Sequence, residues 1–233
     1  LFESRMNFAS VVVARLCSFK YSDIISRVES DLGPLVIEKA IKFTMNTYSL
    51  LFKKTDGSRV IIKITDNVPS ARRLLRNNII ALSIINNIPE VLAPKLIMHG
   101  EGFMVVTYLE GQTYSKASAE VRAKARHQIK DIIKVMRSRT LTSQRGEYLD
   151  KTRTTLDNLS FEQALVICPW IAGQDREEFV FSHNDLYAEN VIVNDDGLAG
   201  IIDWEYSCLT PYSYELSKYK HIGDEYTEFI ECF

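Results

Sequence analysis

Three residues in the stretch FSHNDLYAENVIVNDDGLAGIIDWE, Phe181 to Glu205, have the types and spacing to handle a divalent cation and a reacting hydroxyl: Asp185, Asn190 and Asp203. Asn190 follows Asp185 by five residues, and Asp203 follows Asn190 by thirteen. Between the last two, VIV and GIID read as short strands joined by a turn at NDDG, which brings Asn190 and Asp203 to the same end of a hairpin. A carboxylate and an amide oxygen then converge. Such a pair, completed by phosphate oxygens and water, suits Mg2+, which seldom has an all-protein cage. Asp185, upstream on a loop, is placed to orient a substrate hydroxyl or accept its proton. This is the arrangement phosphoryl transfer needs.

The elements that must hold these residues fall into two parts. Residues 1–29 mix apolar and polar positions as one or two helices, and DLGP at 31–34 breaks them. TYSLLFKK and RVIIKIT form a hairpin around Asp56 and Gly57. SARRLLRNNIIALSII carries Ala71, Leu75, Ile79, Leu82 and Ile85 at helical spacing, with Ser70 as N-cap. Leu96 to Met98 and Phe103 to Tyr108 read as strands, and the strand-rich text ends at Gly111. Beyond it, EVRAKARHQIKDIIKVMRSR sets Val121, Ala125, Ile129, Ile132 and Met136 on one face of a helix with a basic outer side, and FEQALVI reads as another. The expected fold is α+β, with a strand-rich first part over residues 30–110 and a helical second part over residues 111–233. A cleft between them is the natural ligand site.

Composition narrows the partners. The chain has 233 residues, 46% hydrophobic and 25% charged, with a net charge of −2, which is ordinary for a folded protein and carries no basic footprint for nucleic acid or a membrane surface. A small molecule is the expected partner. No apolar run approaches the roughly 20 residues of a membrane span, and no secretory signal is expected, so a cytoplasmic location follows. Cys17, Cys168, Cys208 and Cys232 form no C-x-x-C pair and are expected as buried free thiols. Trp204 and Tyr206 are expected to pack, and His99, His127 and His221 carry no metal or triad pattern.

HNDLYAEN resembles the H-x-D-x-x-x-x-N catalytic loop, and IIDWE the metal-binding Asp segment, of the aminoglycoside phosphotransferase and choline kinase group, which shares the two-lobed protein kinase fold. RVIIKI resembles the strand carrying the nucleotide Lys, and FMVVTYLEGQT the strand and hinge between lobes. The resemblance implies Asp185 as catalytic base, Asn190 and Asp203 as Mg2+ ligands, and Lys63 on the α- and β-phosphates of ATP. Thr107, Tyr108, Leu109 and Glu110 would face adenine, and His183 would brace the loop. The acceptor would be a hydroxyl of an amino-alcohol or aminoglycoside-like molecule, with Glu205, Tyr206, Tyr212 and Glu215 available to a cation.

The sequence departs from that pattern in three places. Counting back from Ile88 and Pro89, Asn77 stands where relatives have a Glu that pairs with the Lys. KFTMNTYSLLF, at the nucleotide-covering loop, holds no glycine, leaving Thr44, Asn46 and Thr47 to donate through side chains. The chain begins at Leu1 without methionine and stops soon after Asp203, as a trimmed fragment with an incomplete acceptor pocket would. These departures keep open an alternative, a catalytically silent binding protein on the same fold.

Overall fold

The computed structural model describes residues 2–44, 46–143 and 179–211, so the helix expected at 161–167 and residues such as Cys168, Tyr212 and Glu215 lie outside the described residues. The chain divides into two units, Leu1–Asn87 with Pro94–Leu109, and Ile88–Ala93 with Glu110–Phe233. Among the described residues no helix is long and apolar enough to cross a membrane.

The first unit opens with two helices, α1 (Phe2–Lys20) and α2 (Ser22–Leu32). Gly33, at φ 81°, ends the second, donating its N–H to the Glu29 carbonyl, a backbone conformation that glycine enters without a Cβ penalty. Five antiparallel strands follow in the order β1-β2-β3-β5-β4: β1 (Leu35–Phe43), β2 (Thr47–Lys54), β3 (Arg59–Thr65), β4 (Leu96–Gly100) and β5 (Phe103–Thr107). Strand alternation decides what each face does. Val60, Ile62 and Ile64 of β3 join Leu50, Phe52, Phe103 and Val105 in a core closed by Ala14, Cys17, Ile25 and Val28 of the two helices. Each fully buried Val, Leu, Ile or Phe contributes roughly 1.5–3 kcal/mol. The intervening positions Ile61, Lys63 and Thr65 lie on the opposite face.

The β2–β3 turn is set by Asp56, whose carboxylate accepts from the Ser58 N–H (2.9 Å) and from Lys54 (3.1 Å). These donors, the Ser58 hydroxyl first, hold the carboxyl down at about 2. After β3 comes α3 (Pro69–Ile85), which packs against β3, β4 and β5. Pro69 occupies the first turn, where its missing N–H costs nothing, and Ser70 is therefore inside the helix instead of capping it. The buried residues are Ala71, Leu75, Asn78, Ala81, Leu82 and Ile85. Four of the five expected positions are among them; Ile79 is only partly buried, and Asn78 beside it is buried.

In the second unit, α4 (Ala119–Ser143) buries Ala125, Ile129, Ile132, Ile133 and Met136 and packs on strands β7 (Phe179–Ser182), β8 (Val191–Asn194) and β9 (Gly197–Ile201). Gln128 on α4 accepts a 2.6 Å hydrogen bond from the Leu198 N–H, fixing the helix to the hairpin. Strand β6 (Gln112–Thr113) pairs with β8, and β10 (Cys208–Pro211) pairs with β7. Gly111 precedes β6 at φ 149°, and a Cβ there would run into the Val193 carbonyl oxygen.

Candidate active site

The β8–β9 hairpin pairs Val191 with Ile201 and Asn194 with Gly197, and the turn is held by the Asp196 N–H donating to Asn194 Oδ1 at 3.0 Å. Asn190 directly precedes β8, while Ile202 and Asp203 directly follow β9. The Ile202 N–H donates to the Asn190 carbonyl at 2.9 Å, so the ladder continues past the strand ends and brings the Asn190 and Asp203 backbones to one end of the hairpin.

Asp185 is tied to the same place. The Asn190 amide nitrogen donates both to the Asp185 carbonyl (2.8 Å) and to Asp185 Oδ2 (2.9 Å). Because that nitrogen is committed, the amide oxygen is the branch of Asn190 left to face a cation. The Tyr187 N–H also donates to the Asp185 carbonyl (3.0 Å), and the Asn190 N–H to the Tyr187 carbonyl (2.9 Å), closing the loop into a 3-10 turn over Ala188–Asn190.

His183 braces the loop from inside. It is 1% exposed, its Nε2–H donates to the Ile202 carbonyl at 2.9 Å, and its Nδ1 accepts the Asp185 N–H at 3.2 Å. That pattern needs the neutral ring with its proton on Nε2. Burial lowers its pKa to about 4, outweighing the bond to Ile202 and the charge of Asp203. Trp204 meets the imidazole edge-on at 4.6 Å, stacks on Phe181, and donates its Nε1–H to the Ile201 carbonyl. Trp204 thus packs, as expected, whereas Tyr206 is 50% exposed.

Lys63 lies in the middle of β3, opposite Ser49 and Met104, and is buried to 6% exposure. A buried lysine is costly unless its ammonium is paired or hydrogen-bonded. The side chain that α3 buries is Asn78, 2% exposed with Oδ1 lacking a hydrogen-bond partner, while Asn77 is only half-buried.

Comparison with known proteins identifies the family. Residues 50–229 match the phosphotransferase enzyme family, APH. The chain belongs to that family. As a member it is an ATP-dependent phosphotransferase with an alcohol group as acceptor. Solved structures with the same fold include aminoglycoside phosphotransferase APH(4)-Ia, at 11% identity and TM-score 0.62, covering 91% of this chain and 82% of that one. Another is the streptomycin and ATP ternary complex of APH(2")-IIa, at 15% identity and TM-score 0.56 over 84% and 74%. A third is macrolide 2'-phosphotransferase MphH from Brachybacterium faecium, at 11% identity and TM-score 0.59 over 90% and 80%. At such identities the likeness establishes the protein kinase-like fold. No curated protein sequence matches the chain.

In this phosphotransferase the segment expected to face adenine is partly committed already. The Thr107 N–H donates to the Lys95 carbonyl and the Tyr108 N–H to the Arg59 carbonyl, so these two N–H groups are engaged within the chain. Asp66 is likewise engaged: its carboxylate takes Lys20 (2.7 Å), the Tyr21 hydroxyl and, at 3.5 Å, the Tyr48 hydroxyl. Its pKa is lowered, by the bond from Lys20 first and that from Tyr21 next. The cluster ties the α1–α2 junction to the sheet, and the Asp66 N–H donates to the Asn46 carbonyl at the β1–β2 turn. In that turn the Thr44 hydroxyl lies toward the Thr47 carbonyl at 3.5 Å. Cys17 is buried as expected, but Cys208, on β10, is exposed.

Two residues escaped the sequence reading. Asn78 is buried on α3 where Ile79 was expected. Asn184, with φ 61°, and Asp203, with φ 65°, are the non-glycine residues at positive φ among the described residues. The signal for Asn184 was its type, since Asn and Asp enter this conformation most readily.

Proposed function

We propose that the protein transfers the γ-phosphoryl group of ATP to a hydroxyl of a cationic, amino-sugar-like small molecule, with Asp185 as the base. The observation that carries this reading is the bonded cluster of Asp185, Asn190 and Ile202–Asp203 at one end of the β8–β9 hairpin. Asp185 Oδ1 and Oδ2 form an acceptor-only group when ionised, and the bond from Asn190 to Oδ2 fixes the orientation of the carboxylate. As the acceptor oxygen bonds to the γ-phosphorus and the bond to ADP breaks, the hydroxyl proton passes to that carboxylate.

Asn190 Oδ1 and the Asp203 carboxylate fit Mg2+, being hard oxygen donors of the number that ion takes from protein. Bound there, Mg2+ would supply charge to offset what develops on the phosphate oxygens. Among the described residues no three His, Cys, Asp or Glu side chains gather as a metal site, so its remaining ligands would come from phosphate and water. Lys63 supplies a positive charge for the α- and β-phosphates. Thr107, Tyr108, Leu109 and Glu110 are the hinge positions proposed to offer backbone groups to adenine.

Support for the acceptor class comes from the family and from relatives whose structures hold streptomycin or hygromycin B. Glu205 and the exposed Tyr206 are groups a cationic acceptor would use. The test is transfer of label from γ-labelled ATP to streptomycin, hygromycin B or a macrolide, with Asp185→Asn as control.

A further inference from the structure

The ladder between β7 and β10 ends with the pair Ser182 and Cys208. Continued in the same register, the next opposed residues would be His183 with Ser207 and Asn184 with Tyr206. The positive φ of Asn184 turns its backbone out of that ladder, and its side chain fills the gap. Asn184 Nδ2 donates to the Tyr206 carbonyl at 3.2 Å, as a backbone N–H would in a continuing strand. The same nitrogen lies 3.0 Å from Cys208 Sγ, a weak acceptor, and Asn184 Oδ1 accepts from the Thr210 hydroxyl at 3.2 Å. Every one of these partners lies on the segment that directly follows Asp203.

The two residues before Asp185 therefore grip the chain on either side of Asp203. His183 holds Ile202, the residue before it, and Asn184 holds Tyr206, Cys208 and Thr210 after it. We infer that Asn184 is a positioning residue for phosphoryl transfer, setting Asp185 against Asp203 through a side-chain substitute for a missing ladder rung. The inference rests on the reading of Asp185 as base and Asp203 as metal ligand.

Chemistry separates the two things this residue does. Glycine accepts the positive φ freely but makes none of the three bonds; alanine loses the bonds and also strains the backbone. Aspartate tolerates the backbone and keeps the Thr210 bond, but has no donor for Tyr206. Asn184→Gly is expected to lower kcat roughly 10- to 100-fold, the usual consequence of misplacing a reacting group by about 1 Å, with KM for ATP within about twofold. Asn184→Asp should fall with it, since the donor is what both lack.

The experiment measures kcat and KM for Asn184→Gly and Asn184→Asp alongside Asp185→Asn, together with amide hydrogen exchange across residues 183–190, which needs no acceptor. Exchange of the Asp185 N–H should quicken about tenfold in Asn184→Gly as the loop loosens. Wild-type kcat in that variant would overturn the inference, as would unchanged exchange in a protein that turns over none of the acceptors tried. Full turnover by Asp185→Asn would sink the base assignment instead, and the exchange rates would still decide whether Asn184 holds the loop.

Discussion

His183 makes the catalytic loop a titratable element of stability. Its ring is buried and neutral, with the pKa lowered to about 4 from an ordinary 6.5. The native state therefore binds fewer protons than the unfolded chain wherever the pH lies below 6.5, and stability falls as pH falls, levelling off below about 4. The full shift corresponds to about 3 kcal/mol, of which about 2 kcal/mol is lost by pH 5. In urea unfolding this is a midpoint shift of about 1 M between pH 7.5 and pH 5. The clean measurement compares wild type with His183→Gln, whose amide can still donate to the Ile202 carbonyl but cannot be charged. The variant starts less stable by about 1–3 kcal/mol, because the Asp185 N–H loses its acceptor. Wild type should nevertheless lose about 2 kcal/mol more than the variant on going to pH 5. Equal losses in the two proteins would refute the argument that this imidazole is kept neutral by burial.

Two further substitutions test the frame around the site. Gly111→Ala forces a Cβ against the Val193 carbonyl oxygen at a φ that L residues rarely adopt, and should cost about 2–4 kcal/mol by denaturant unfolding; a change under about 0.5 kcal/mol would contradict the geometry. Asn78→Leu removes a buried carbonyl oxygen that has no hydrogen-bond partner, and should raise stability by about 1–2 kcal/mol; a loss of stability would mean that the amide is used.

Much of the site was legible because it is local. The β8–β9 hairpin needs only two short apolar runs and the turn residues Asn194 to Gly197, and it alone fixes the ends that carry Asn190 and Asp203. Strand β1 was hidden for the opposite reason. Glu38, Lys39 and Lys42 interrupt its apolar residues, and register shifts at Ile37/Lys39 and Ala40/Lys42 break the period-two pattern on which strand reading depends. Strand β10 is four residues long and ends in Pro211, too short for any periodicity. The partners of Asn184 were out of reach because they lie more than twenty residues away and depend on the β7–β10 pairing. Asn78 was missed because an amide on a helix reads as a surface residue, and only the packing of α3 shows it buried.

Proton transfer from an acceptor hydroxyl to Asp185, as phosphate leaves ATP, is the step on which the proposed function turns. It is tested most directly by following label from γ-labelled ATP into an acceptor such as streptomycin or hygromycin B, with Mg2+ present, for wild type and for Asp185→Asn, which preserves shape and removes the carboxylate. The account predicts labelled acceptor and ADP in equal amounts from wild type, with transfer lowered by at least about 100-fold in the variant. Transfer at the wild-type rate by Asp185→Asn would contradict it.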